Sequence, residues 1–447
     1  MSQLARKLHT VDYFTLGFGT MVGAGWLILM GDWLERGGPW GAVLGFFIGG
    51  AVLLPVGYVY GQLVMAIPDA GSEIAYTARM FPPAVSFFSG WIMMLSYLVV
   101  CPWEGVAIGK VAAYIFPRLN ALEVYRIAGQ PVFLPHLLLG LGLTALITFV
   151  NYRGVHVSAR FQNWTTFGLL ALSVVFTVCA LAKGSVANLE PRFSQGGGLV
   201  STLLVLQIVP YFMTGFESVP KCAEEANPEF RKKGFFRAIV AAVLVGIAFY
   251  CVIVFIVAYS FPWTQAARRP FATAYALQQA VGHRWIVDLV LIAALLSLFK
   301  IFNGNFLAAT RLLFALGRRR MIHPGAARIH PRNQTPSVAV LAIGLLTAAG
   351  VCMGNAILIP ITEVGSMTSA CAWLAACAAY FYMAPTALGR GIAVFGGCVS
   401  LALAAMKVLP FVPGHFSLWE WAALSLWLAL GFALRRRERS EALAAHS

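Results

Sequence analysis

From about residue 12 to residue 434 the chain runs as one apolar stretch after another, each about twenty residues or longer and bounded by Gly, Pro or charge. A hydrocarbon core about 30 Å thick is crossed by roughly 20 helical residues, and only a backbone that satisfies its own N–H and C=O groups can lie in it. The runs fall at 12–36, 39–66, 84–116, 133–151, 160–183, 199–223, 235–261, 285–317, 336–354, 357–384, 390–411 and 417–434. The reading is therefore an all-α integral membrane protein of about twelve transmembrane helices, with no soluble domain expected. Composition agrees: 60% of the 447 residues are hydrophobic and 11% charged, against about 25% charged in a soluble domain.

The formal charge is +15, which in a soluble protein would suggest nucleic acid. Its placement argues against that partner. Basic residues gather in alternate connections: Arg6 and Lys7; Arg79; Arg153 and Arg160; Arg231, Lys232, Lys233 and Arg237; Arg318, Arg319, Arg320, Arg328 and Arg332; Arg390; and Arg435, Arg436, Arg437 and Arg439. The intervening loops are sparser and mixed in sign, as at Asp32, Glu35 and Arg36. This is the positive-inside pattern, which predicts a multi-pass protein of the bacterial inner membrane with both termini cytoplasmic. The opening MSQLARKLHTVDYF holds no apolar stretch ending in a small-residue cleavage site, so the first segment reads as a retained span. Most of the eight cysteines lie inside apolar segments without a C-x-x-C pair and read as small buried residues, with no metal or disulfide role.

Two segments differ from the rest. In the first, Gly17, Gly19, Gly23 and Gly25 surround Thr20 and Ala24; in the sixth, Pro210, Thr214 and Gly215 precede Glu217. A backbone that leaves the helix in hydrocarbon exposes groups costing several kcal/mol unless something polar satisfies them. Such breaks belong beside a cavity and its ligand, although glycines also let helices pack closely. Five segments separate the two positions, the spacing of an inverted repeat of five helices plus five with two helices added at the C-terminus. The divisions are 1–183 for the first repeat, 184–384 for the second, and 385–447 for the added helices and tail.

Four blocks carry a resemblance. They are Gly23-Ala24-Gly25; Pro68-Asp69-Ala70-Gly71-Ser72-Glu73-Ile74-Ala75-Tyr76; Asn151-Tyr152-Arg153-Gly154 with Ser158-Ala159 and Gln162-Asn163; and Gly215-Phe216-Glu217-Ser218 with Glu224-Glu225-Ala226-Asn227-Pro228. Arg311 to Leu316 and Thr335-Pro336 continue the pattern. The chain resembles the amino acid-polyamine-organocation permeases, which implies a LeuT-like inverted-repeat fold with discontinuous helices 1 and 6. The implied function is secondary transport of an amino acid by alternating access, or of a cationic amine. It departs from the family where Arg318-Arg319-Arg320 stands in place of the usual Arg-Asp-Gly, and where Trp164 to Leu170 lacks the lysine that in some relatives substitutes for sodium.

For an amino acid, the carboxylate should meet backbone N–H groups at a half-helix N-terminus, with Gly23, Ala24 and Gly25 as candidates. The resemblance implies that the ammonium meets carbonyls of Met21, Tyr211 and Thr214, with the Tyr211 ring able to close over the ligand. Charges at membrane depth cost about 2.5 kcal/mol or more and mark function; here they are Glu104, Lys110, Glu217 and Lys300. Glu217 either holds the broken helix through backbone bonds or couples a proton or substrate. Glu104 and Lys300 either pair with each other, or Glu104 meets a cationic substrate and Lys300 replaces a cation. Asn303 and Asn305 are site residues or interhelical glue. No metal pattern, nucleophile elbow or phosphate loop appears, so neither an enzyme nor a cofactor is expected. The expected partners are a small-molecule substrate, membrane lipids and a coupling proton.

Overall fold

The computed structural model describes residues 6–194, 196–412 and 415–436, with the side chains of 155–158 and 359 excepted. Arg437, Arg439 and His446 lie outside those residues, and the side chains of His156 and Ser158 are among those excepted. Every apolar segment coincides with a helix or a run of helices. Eight of the described helices are long and apolar enough to cross a membrane, and three shorter ones, Gly197–Leu206, Ser337–Val351 and Leu418–Leu434, are also apolar.

The distribution of side chains inverts that of a soluble protein. Trp164, Leu345, Leu388, Leu418 and Trp419 are each at least 74% exposed on the outer surface. Glu73, Glu104, Glu217, Lys221, Glu225, Lys300 and Arg311 are all 2% exposed or less. Apolar surface outside and charge confined to the inside is the arrangement that hydrocarbon favours. The chain is a multi-pass membrane protein.

The first segment is helical over Thr10–Met21, leaves the helix at Val22 to Ala24, and resumes at Gly25–Ile28 and Met30. It meets the second at Gly38, whose φ of 62° and following Pro39 end one helix and start another. A Cβ at Gly38 would stand 2.8 Å from the Phe193 backbone. The sixth segment is helical over Gly197–Leu206 and Val209–Met213, is non-helical over 214–217, and resumes at Ser218–Lys221.

Both described chain ends sit at one end of the bundle. Leu8 bridges to Ala226, the Arg436 N–H donates to the Met321 carbonyl at 2.9 Å, and Arg318 reaches Glu224 between them. The last helix is fastened by a reciprocal pair: Trp91 Nε1 donates to the Trp427 carbonyl at 2.9 Å and Trp427 Nε1 to the Trp91 carbonyl at 3.0 Å.

The fold is all-α in its spans, and one connection adds a short extra element: after Pro83–Ile115 comes an antiparallel hairpin, Glu123–Ile127 with Gln130–Phe133. Its turn residues Ala128 and Gly129 have φ of 48° and 76°, the two positive values that a tight hairpin turn matching the strand twist requires.

Candidate functional site

In an unbroken helix the carbonyls of Thr20, Met21 and Val22 would accept from residues 24, 25 and 26. Here each is taken by another helix. Asn305 Nδ2 donates to the Thr20 carbonyl at 3.1 Å, the Tyr250 hydroxyl to Met21 at 3.1 Å, and Lys300 Nζ to Val22. Lys300 also lies over the Phe18 ring, 5.4 Å from its centroid. The break therefore leaves none of these three carbonyls orphaned, which is what allows it to persist at depth.

A carboxylate stands against the break. A Cβ on Gly23 would collide with Glu104 Oε1 and with Ile301. The other oxygen, Oε2, is buried without a hydrogen bond. A Cβ on Gly25 would stand 2.8 Å from the Phe212 ring. Glu104 makes no direct ion pair with Lys300 among the ion pairs of the described residues.

The sixth-segment break is built the same way. Glu217 accepts from the Gly215 N–H at 3.0 Å and from Trp373 Nε1 at 3.2 Å. The Thr214 hydroxyl lies 2.5 Å from that of Ser369, which lies 2.5 Å from Ser96, so hydroxyls tie the break to the third and tenth segments. The Tyr211 ring packs on Gly365, and its hydroxyl is buried without a partner. Gly215 has φ of 143° and lies against the Met21 backbone. The two breaks thus meet backbone to backbone.

The structure brings together Met21, Gly23, Ala24, Gly25, Glu104, Lys300, Tyr211, Thr214 and Glu217. Asn303 is placed differently: its Oδ1 accepts from Asn151 Nδ2 at 3.0 Å, while Asn305 reaches the break carbonyl. Lys110 is partly buried and lies further along the third-segment helix.

Packed side chains flank the breaks on two sides. On the side that carries the termini stands a ladder of ion pairs: Lys221 to Glu73 at 2.6 Å, Arg311 to Glu225 at 2.5 Å, and Arg318 to Glu224 at 2.6 Å. Asp69 adds contacts to Arg318 at 3.3 Å and Arg319 at 2.9 Å. The Tyr60 hydroxyl also donates to Glu73, and the Lys221 ammonium lies over the Tyr97 ring. Partial burial alone would raise the Glu224 carboxyl, but Arg318 and the Ala70 N–H hold it below its ordinary value. On the other side Trp33, Phe46, Phe212 and Tyr250 interlock, with Trp33 to Phe212 and Trp33 to Phe46 centroids 4.8 Å apart. The buried pairing of Glu73 with Lys221 and of Glu225 with Arg311 is not read from sequence, although Glu73, Glu225 and Arg311 stand inside its motifs. The signal for Lys221 is a lysine one helical turn past a break and still inside the apolar segment. Among the described residues no group of three or more His, Cys, Asp or Glu is placed to hold a metal ion.

A family model described as amino acid permease matches residues 8–432. The chain is 24% identical to the branched-chain amino acid permease BcaP of Bacillus subtilis, over 82% of this chain and 77% of the relative. It is 23% identical to the methylthioribose transporter of the same organism, over 77% and 74%. It is 28% identical to the vacuolar cationic amino acid transporter 4 of Arabidopsis thaliana, over 78% of this chain and 58% of that one.

Proposed function

The chain belongs to the amino acid permease family, and from that premise we propose that it is a secondary transporter whose substrate site is the junction of the two helix breaks, worked by alternating access. The observation that carries this is the backbone contact between Gly215 and Met21, with Lys300 and Glu104 at one break and Glu217 at the other. Broken helices at mid-membrane supply N–H groups to a carboxylate and carbonyls to an ammonium.

In this reading the amino-acid carboxylate docks on the N–H groups of Gly23, Ala24 and Gly25, and the ammonium on the carbonyls of Met21, Tyr211 and Thr214. Lys300 is a tethered cation that holds the Val22 carbonyl, so no metal cation is needed there, and the coupling ion is a proton. Glu217 couples the sixth-segment break to the tenth-segment helix through Trp373. The ion-pair ladder is the cytoplasmic gate and the aromatic cluster the periplasmic one. That assignment places both termini in the cytoplasm of the bacterial inner membrane and follows the basic bias of the connections. The architecture is about twelve spans, with inverted repeats at 1–183 and 184–384 and two added helices in 385–447. The protein is a carrier, not an enzyme.

Proteoliposome uptake with a panel of amino acids tests this. Saturable uptake with counterflow, lost in Gly25→Val while membrane insertion persists, is expected. Retained affinity in Gly25→Val removes this stretch from the site. A second reading, a cationic amine as substrate, is favoured by the buried Glu104 carboxylate and predicts that amines outcompete amino acids in the same panel.

A further inference from the structure

Glu104 occupies the place that the substrate carboxylate needs. Its Oε1 lies where a Gly23 side chain would stand, at the non-helical backbone of the first break. The side chain is 2% exposed, and Oε2 has no hydrogen-bond partner. Nothing nearby relieves this by direct pairing, because Lys300 is committed to the Val22 carbonyl. A carboxylate set against a glycine-rich break is a tethered analogue of the amino-acid end of the ligand.

We propose that Glu104 holds the substrate's carboxylate seat in the empty carrier, and that each amino acid enters with one proton, which goes to Glu104 Oε2. This rests on the reading of the breaks as the substrate site. Two carboxylates cannot share one set of N–H donors in a buried space unless one of them is neutral. In the exchange, Glu104 Oε1 leaves its place beside Gly23 and the substrate carboxylate takes it, accepting from the backbone N–H groups of the break. An O–H bond forms at Oε2 with a proton from the aqueous side then open, and no electron is transferred. On release the steps reverse, so Glu104 returns to the seat as the proton leaves. Glu104 is then a specificity-determining residue as well, because it admits a ligand that brings its own carboxylate.

The titratable groups facing Glu104 are Lys300 from the eighth-segment helix, Tyr211 from the sixth, Tyr250 from the seventh and Cys101 on its own helix. Tyrosine and cysteine ordinarily titrate near about 10 and 8.5. Lys300 is the one competitor as proton site, and the Gln variant separates it from Glu104.

The test is calorimetry on the purified full chain in two buffers of different ionisation enthalpy, which counts protons per ligand. The probes are L-leucine and L-arginine, with isoamylamine and agmatine as their decarboxylated partners. Wild type is expected to take up one proton per amino acid, and its affinity to fall tenfold per pH unit above the Glu104 midpoint. Glu104→Gln is expected to take up none, to bind the amino acid more than tenfold tighter than wild type at pH 8, and to lose the pH dependence. Glu104→Asp, whose shorter carboxylate withdraws from Gly23, keeps the proton count and gains affinity at pH 8, so the idea remains testable if the Gln variant does not fold. An unchanged proton count in Glu104→Gln assigns the proton to Lys300 and overturns the proposal. Amines that bind as well as the amino acids and lose tenfold in Glu104→Gln overturn it too, since Glu104 would then be an ammonium partner. Failure of every probe to bind both wild type and the Gln variant rejects the breaks as an amine or amino-acid site, a result distinct from the other two.

Discussion

Gly215 lies against Met21: a Cβ built on Gly215 would stand 2.6 Å from the Met21 nitrogen and from the Thr20 carbonyl carbon. The contact joins the two broken helices at their weakest points, and the Gly215 φ of 143° lies in a region that side chains avoid.

Gly215→Ala is therefore expected to push the breaks apart. Forcing a side chain into that backbone conformation costs about 1 to 3 kcal/mol, and the clash is with backbone, which cannot rotate away. Uptake should be lost while the protein still inserts, with a lowered melting temperature in detergent. Wild-type uptake by Gly215→Ala would show that the contact is not needed for transport.

The pair Lys221 and Glu73 is buried with both side chains at 0% exposure. Removing one partner strands the other, which typically costs about 3 to 5 kcal/mol, whereas removing both can be nearly neutral. Lys221→Met should therefore melt well below wild type, and Lys221→Met with Glu73→Gln should recover most of the loss. The double variant should also leak substrate toward the side of the termini, because the ladder has lost its innermost rung. Additive losses in the two single variants would mean that the two charges do not act as a pair.

The breaks were legible in the sequence because Gly23, Gly25, Pro210 and Gly215 weaken a helix where hydrocarbon punishes weakness. The paired charges at Lys221 and Glu73 were not, since they are 148 positions apart and only the packing of two elements joins them. Which asparagine serves the break was equally hidden. Asn303 and Asn305 are two residues apart, roughly 200° around a helix, so the rotation of one helix decides that Asn151 meets the first and Thr20 the second. Lys300 was visible as a buried charge, but its choice of the Val22 carbonyl over Glu104 depends on that same rotation. The hairpin at Glu123–Ile127 escaped because it fills a connection between apolar runs.

Acid should loosen the gate on the side of the termini. The Glu224 carboxyl is held below its ordinary value by Arg318 and the Ala70 N–H, against the opposing effect of burial. For a depressed carboxyl the stabilisation is fully present above the unfolded value, about 4.3, and is lost as pH falls through the lower folded value. Between pH 6 and 3 wild type should lose melting temperature more steeply than Glu224→Gln, which carries no titrating group there. Parallel pH profiles for the two proteins would remove Glu224 from the acid response.

Lys300 offers the sharpest separation between a structural and a functional cap. Its ammonium donates to the Val22 carbonyl inside the first break, a bond that serves the backbone and also places a positive charge there. Lys300→Met leaves a buried carbonyl orphaned, and the unmade bond costs about 1 to 3 kcal/mol. If Lys300 stands for a bound cation, the vacated carbonyl together with that of Thr20 can accept one. Lys300→Ala should then be stabilised by sodium in a saturable way, at constant ionic strength held with choline, while wild type should not respond. Because Lys300 and Glu104 sit against adjacent residues of the same break without a direct ion pair, the losses in Glu104→Gln and Lys300→Met should depart from additivity by about 0.5 to 3 kcal/mol. Strictly additive losses would mean that the two charges do not feel each other, and a sodium response in wild type equal to that of Lys300→Ala would mean that the lysine does not occupy a cation's place.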